Sequence, residues 1–147
     1  MLLQKESNPG LNTITAYGAG YVEINGQPYQ NPLHFGPEGP IHPWPIDDIK
    51  QLTLAALREI AGIQEAAADP MAFLDDTPPT ANTDTEVVLI GTGSRHCLLP
   101  QSITAPLLRL GIGVEAMSTP AAARTYNILM SEGRRVVVAL IPPQDAE

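Results

Sequence analysis

"TPAAARTYNILMSEGRRVVVALI", Thr119 to Ile141, decides how this chain folds. Thr119 offers a side-chain oxygen to the free amides of a helix start. Pro120 suits the first helical position, because its fixed φ fits the turn and its missing N–H has no partner there in any case. At about 100° per residue, Ala122, Ala123, Tyr126, Leu129 and Met130 fall on one face, so a helix over Pro120 to Glu132 has a core side. Gly133 supplies the left-handed residue that ends such a helix. "RRVVVALI" then runs apolar without alternation, as a strand buried on both faces does, and Pro142-Pro143 stops it. A helix followed at once by a doubly buried strand is the second half of a βαβ unit.

The residues before this stretch supply the rest of the pattern. "EVVLIGTG" from Glu86 is a short apolar run ending in glycines. "SITAPLLRLG" reads as a helix capped at Ser102 or Thr104, with Pro106 in its first turn, and "IGVEAM" as a second strand. Strands and helices alternating at this spacing give right-handed βαβαβ over residues 86–143 and a mainly parallel sheet. Upstream the character differs. In "TITAYGAGYVEINGQPY", Asn25-Gly26 is a hairpin turn between strand-like runs, and Gly18 and Gly20 suggest a bulge or bend in the first strand. "NPLHF" is extended, and "GPEGPIHPWPI" is a rigid loop that sets Trp44 against the body. Asp47 or Asp48 caps a helix predicted over 47–62, which Gly62 ends. The expected organisation is one α/β domain over residues 1–147. It comprises a loose arm over 1–12, an N-terminal β-hairpin and loop over 13–46, that helix, an acidic connection over 63–85 and the βαβαβ half.

With 147 residues, 44% of them apolar and 16% charged, the chain has the composition of a globular protein. Its net charge of −8 argues against nucleic acid and anionic membranes, since phosphate contacts need clustered Lys and Arg. Arg134-Arg135 is too small a pair to make a phosphate track. One cysteine, Cys97, permits no intrachain disulfide, which suits a reducing compartment. The start, "MLLQKESNPG", has no signal-peptide run, and no stretch approaches the roughly 20 apolar residues of a membrane span. The expectation is a cytoplasmic protein without membrane insertion.

Four segments carry a resemblance: "ITAYGAGYVEINGQPY", Pro43-Trp44, "LIGTG" at Leu89 to Gly93, and "GIGVEAMSTPAAARTYNILMSEGRRVVVALI" from Gly111. In these the chain resembles a small bacterial and archaeal family of unknown biochemical function. Its eukaryotic relatives include a mitochondrial complex I assembly factor and an adipogenesis-associated protein. The resemblance covers most of the chain and is weakest between Gly62 and Thr85. It implies three layers, with a small N-terminal β-sheet packed on a mixed α/β sheet with helices. It carries over no catalytic residue. Relatives often follow "GTG" with a basic pair; here Ser94-Arg95 stands there, and one cation is missing.

Chemistry has one main candidate location. "GTGSR", Gly91 to Arg95, follows a buried strand, and ligands in open α/β sheets bind beyond the carboxyl ends of strands. Gly91 and Gly93 permit close backbone approach, and free amides with Thr92, Ser94 and Arg95 would suit an anion. Ser118 and Thr119 lie at the next strand end, and Arg124 near the helix start is a candidate anion clamp. The dinucleotide pattern fails at His96, which takes the place of its last glycine, and no phosphate-loop lysine exists. On the helix, Arg124, Asn127 and Ser131 share the outer face, with Thr125 and Glu132 at its border beside Ile128. That face is either solvated, a protein-interaction surface, or part of the crevice.

Other residues carry less. His34, Glu38 and His42 have a helical metal-ligand spacing, but Pro37, Gly39 and Pro40 forbid the helix, so no metal site is expected. Cys97 reads as a small buried hydrophobe and Ser94 lies outside any nucleophile elbow. Glu115, inside an apparently buried strand, calls for a structural partner. The sequence therefore predicts no catalytic residue and no cofactor. It predicts a non-catalytic interaction or assembly protein with a protein partner, homo-oligomerisation left open; the alternative is small-molecule or anion binding, with enzymatic action left open, at the crevice formed by the 91–95 turn and the start of the 120–132 helix.

Overall fold

Asn25 and Gly26 turn a hairpin between residues 21–24 and 27–29 with φ of 53° and 83°, the left-handed pair that matches the twist of two antiparallel strands. Around that turn the computed structural model, which describes residues 10–63 and 83–144, builds a three-stranded antiparallel sheet. Its strands are β1 (Ile14–Gly18), β2 (Tyr21–Ile24) and β3 (Gln27–Tyr29), in that order. The irregularity in β1 falls between Ile14 and Ala16, not at the glycines. Gly20 serves the β1–β2 turn with φ of 79°. Gly18 makes room for Tyr21, whose ring would lie 2.6 Å from an added Cβ.

The second sheet has five strands: β4 (Leu33–Phe35), β5 (His42–Pro43), β6 (Val87–Gly91), β7 (Gly113–Met117) and β8 (Val136–Leu140). Their order is β5-β4-β8-β6-β7. β6 pairs parallel with β7 and β8, while β4 pairs antiparallel with β8 and β5. The apolar runs alternate between two cores. Val87, Leu89, Val136, Val138 and Leu140 face a cluster shared with the small sheet and with helix α3 (Thr119–Ser131). Val88, Ile90, Ala139 and Ile141 face Trp44 and helices α1 (Leu54–Ile60) and α2 (Gln101–Arg109). The molecule is thus mixed α/β in three layers, as the resemblance implies.

Several element boundaries differ from the sequence expectation. Residues 47–62 do not form one helix. Asp48 and Gln51 make a capping box on a 3-10 turn, Ile49–Gln51; Leu52 is extended, and Thr53 caps α1 by accepting from Ala56 N. A second side-chain acceptor competes with continuation of the helix and restarts it. α2 begins at Gln101 behind Pro100, without a side-chain cap, so Ser102 and Thr104 lie inside it. Pro106 therefore sits in the second turn, where it leaves the Ser102 carbonyl without an amide. Ser102 is exposed, which keeps the cost of that unpaired carbonyl low. In α3 the cap is Ser118, one residue early, and makes no side-chain cap bond. Its far end is as expected: Gly133 has φ of 78°, and Gly133 N and Arg134 N donate back to Met130 O and Leu129 O.

The arm expected over 1–12 is held at its end. Asn12 is buried, with its Nδ2 donating to Gly36 O and Gly39 O, and Leu11 packs on the core. Residues 1–9 lie outside the described residues. So do 64–82 of the acidic connection, whose exit is tied where Thr83 and Thr85 hydroxyls both donate to Ala61 O.

Candidate functional site

The turn after β6 and the start of α3 do meet, as the sequence suggests. They meet as a closed clasp. Thr92 N donates to Met117 O at 2.8 Å, and the single Thr92 hydroxyl hydrogen lies between Arg95 O at 2.5 Å and Met117 O at 3.1 Å. Gly93 N donates to Thr119 Oγ1 at 2.9 Å, and Thr119 N returns a bond to Gly93 O at 2.8 Å. The Thr119 hydroxyl then donates to Ile141 O at 2.6 Å, while Ile141 N donates to Gly91 O. One buried hydroxyl therefore joins the carboxyl ends of β6 and β8 at the head of α3. The Thr92 and Gly93 amides, the donors an anion needs, are occupied inside the protein.

The glycines serve that packing. A Cβ on Gly91 would lie 2.7 Å from Leu140 Cδ2 and 2.9 Å from Thr119 Oγ1, so a side chain here would part strand from helix. Gly93 takes φ of 99°, which a side chain resists. Ser94 and Arg95 stand outside the clasp. Ser94 Oγ accepts from Gln144 N at 2.8 Å, and Arg95 is exposed, its carbonyl accepting from the Thr92 hydroxyl. Ser118 is half-buried at the head of α3.

The outer face of α3 is less uniform than a helical wheel suggests. Arg124 is exposed, and its Nη1 donates to Tyr17 Oη on β1 at 2.8 Å. Asn127 is no solvated residue: its Oδ1 accepts from Ile14 N at 3.0 Å and its Nδ2 donates to Ile14 O at 2.7 Å. A side-chain amide presents one acceptor and one donor, as a neighbouring strand would, and so closes the outer side of β1. Ser131 is exposed and caps its own helix through Ile128 O. Beneath, buried Tyr126 donates its hydroxyl to Asn12 O at 2.7 Å, and burial raises its pKa. These grips tie the small sheet to α3; the residue types hint at them, but their partners lie over a hundred residues away.

Two expectations are corrected. Glu115 is exposed and lies on β7, an edge of the sheet, so it carries no burial cost and needs no structural partner. Its apolar neighbours suggested a central strand because the sequence does not state strand order. Cys97 is half-buried, with its thiol 3.9 Å from Arg95 O. His34 and His42 stand opposite each other across the β4–β5 pair, with ring centroids 5.0 Å apart. Burial lowers the pKa of His34 and His42 adds to it, while Glu59 opposes. No group of three His, Cys, Asp or Glu among the described residues is placed to hold a metal.

Two hollows open elsewhere. A crevice of about 590 Å³ lies at the start of β8, bordered by Leu11, Pro37, Met130 and Val137. Both arginines on its rim are engaged, Arg134 with Glu86 at 2.7 Å and Arg135 with Asp84 at 2.8 Å. A smaller one, about 240 Å³, lies beside His34, Trp44 and Glu59. Buried Trp44 Nε1 has no hydrogen-bond partner among the described residues.

A family described as "Protein of unknown function (DUF498/DUF598)" matches residues 14–141, the span from β1 to the end of the clasp. The chain belongs to this family. An uncharacterized protein of Rhodobacter capsulatus is 35% identical over 134 residues, 90% of this chain and 86% of that one. The human NADH dehydrogenase [ubiquinone] 1 alpha subcomplex assembly factor 3 is 43% identical over 58 residues, 40% of this chain but only 32% of the assembly factor. The solution structure of a Bordetella pertussis protein described as a Mth938-like domain is 47% identical, covers 99% of this chain and 95% of that one, and superposes with a TM-score of 0.75. Among the described residues no helix is long and apolar enough to cross a membrane.

Proposed function

We propose that this chain works by holding another protein rather than by catalysis, in the manner of an assembly factor. The observation that carries the reading is the clasp. The strand ends where α/β sheets usually take ligands are closed by the protein's own hydrogen bonds. Meanwhile Leu98, Leu108 and Ile128 stand 86%, 55% and 57% exposed, apolar area of the kind protein interfaces use. The likeness to the complex I assembly factor points the same way, over less than half of this chain. A net charge of −8 favours partners that are not nucleic acid. The reading predicts that the tagged chain, expressed at native level in its own cells, is recovered with one reproducible partner in stoichiometric amount. Recovery alone under several lysis conditions would contradict it. The anion-binding alternative rests on Ser94, Arg95 and Arg124, which lie outside the clasp.

A further inference from the structure

β7 ends the five-stranded sheet, and its outer side faces no other described strand. Gly113 N donates to Glu86 O and Met117 O accepts from Thr92 N, so Gly113, Glu115 and Met117 turn their backbone groups to β6. Val114 and Ala116 then turn theirs outward, because successive residues of a strand alternate. Two N–H and two C=O groups stand in a row, the template on which an extended segment adds itself.

The flanking charge selects what can add. Val114 and Ala116 pack toward α2 and Met117 toward α3, so Glu115 stands on the α3 side of the edge. On α3 the flank bearing Asn127 faces β1. By helical spacing the opposite flank carries Thr125, Leu129 and Glu132, and Leu129 packs on the core shared with the small sheet. Neither Glu115 nor Glu132 has an ion-pair partner among the described residues, whereas Glu86 and Asp84 are both paired. A second copy fits badly. A two-fold pairing of β7 with itself centred on the strand would set Glu115 opposite its own copy, and like charges across strands destabilise. A net charge of −8 on each chain adds to that repulsion.

We propose that the outer edge of β7 docks an extended, basic segment of the partner protein, which adds as a sixth strand with a Lys or Arg beside Glu115. This rests on the interaction role proposed above and names where it acts. The probe is a pair of synthetic strand peptides with the same alternating Val and Thr framework, one bearing lysines and the other glutamates. Binding of the lysine peptide slows amide hydrogen exchange at Val114 and Ala116 by about tenfold or more, and the glutamate peptide does not. Ala116→Pro removes one outward N–H at a position where an edge strand tolerates proline, and abolishes the protection. Glu115→Lys reverses the preference between the peptides. Equal protection by both peptides, no protection by either, or protection that rises with protein concentration alone would each overturn the proposal. Should a native partner co-purify equally well with Ala116→Pro, the interaction role stands and this docking edge fails; should no partner be found, the role itself fails.

Discussion

At the scale of the residue, Thr119 carries more than a helix cap. Its hydroxyl accepts from Gly93 N and donates to Ile141 O, with the side chain fully buried. Thr119→Val keeps the shape and orphans both backbone groups, so it is expected to cost about 2–6 kcal/mol, since each buried unsatisfied group costs about 1–3 kcal/mol. Thr119→Ser retains the hydroxyl and loses only a methyl group, so it unfolds much closer to wild type; denaturant midpoints of the two variants check this. Gly91→Ala, which drives a Cβ into Leu140 and Thr119, is expected to destabilise by about 1–3 kcal/mol. Both positions stood out in the sequence, as a cap and as a flexible turn. Their real task was not legible, because a cap and a tertiary latch call for the same hydroxyl, and only the distance to Ile141 separates them.

At the scale of the element, local signals placed the pieces and tertiary contacts moved their ends. The Asn25-Gly26 turn, the Gly133 stop and the doubly apolar strands were legible because each follows from a residue's own conformational limits. The split at Leu52 was harder to see, because Asp48 and Thr53 are both good caps and a single sequence does not say that both are used. Edge position was invisible: "GVEAM" reads the same on β7 as in the middle of a sheet, and only strand order exposes Glu115. Likewise the wheel set Asn127 on the wet side, whereas it replaces a missing strand for β1. Asn127→Ala is expected to leave Ile14 N and O unpaired and to loosen the small sheet before the rest. Hydrogen exchange at Ile14 should rise by about tenfold while β6 and β8 stay protected. Uniform loss of protection across both sheets would show that the small sheet is not a separate unit.

At the scale of the whole molecule, one sheet separates two cores, and the clasp and the α3 grips hold the layers in place. His34 makes stability depend on pH. Burial, then His42, holds its folded pKa below the ordinary 6.5. Above pH 6.5 it is neutral folded or unfolded and the native state is not penalised. As the pH falls below 6.5 the unfolded chain takes a proton that the native chain resists, so stability drops until the native imidazole titrates as well. His34→Gln is expected to flatten that part of the difference curve in thermal melts. The proposed interaction role rests on the carboxyl-end crevice being a closed structural clasp. Amide NMR during a titration with inorganic phosphate tests it most directly. The Thr92, Gly93 and Thr119 amides are expected to keep their positions throughout. Saturable shifts centred on those amides, with Ser94 and Arg95 moving alongside, would contradict it.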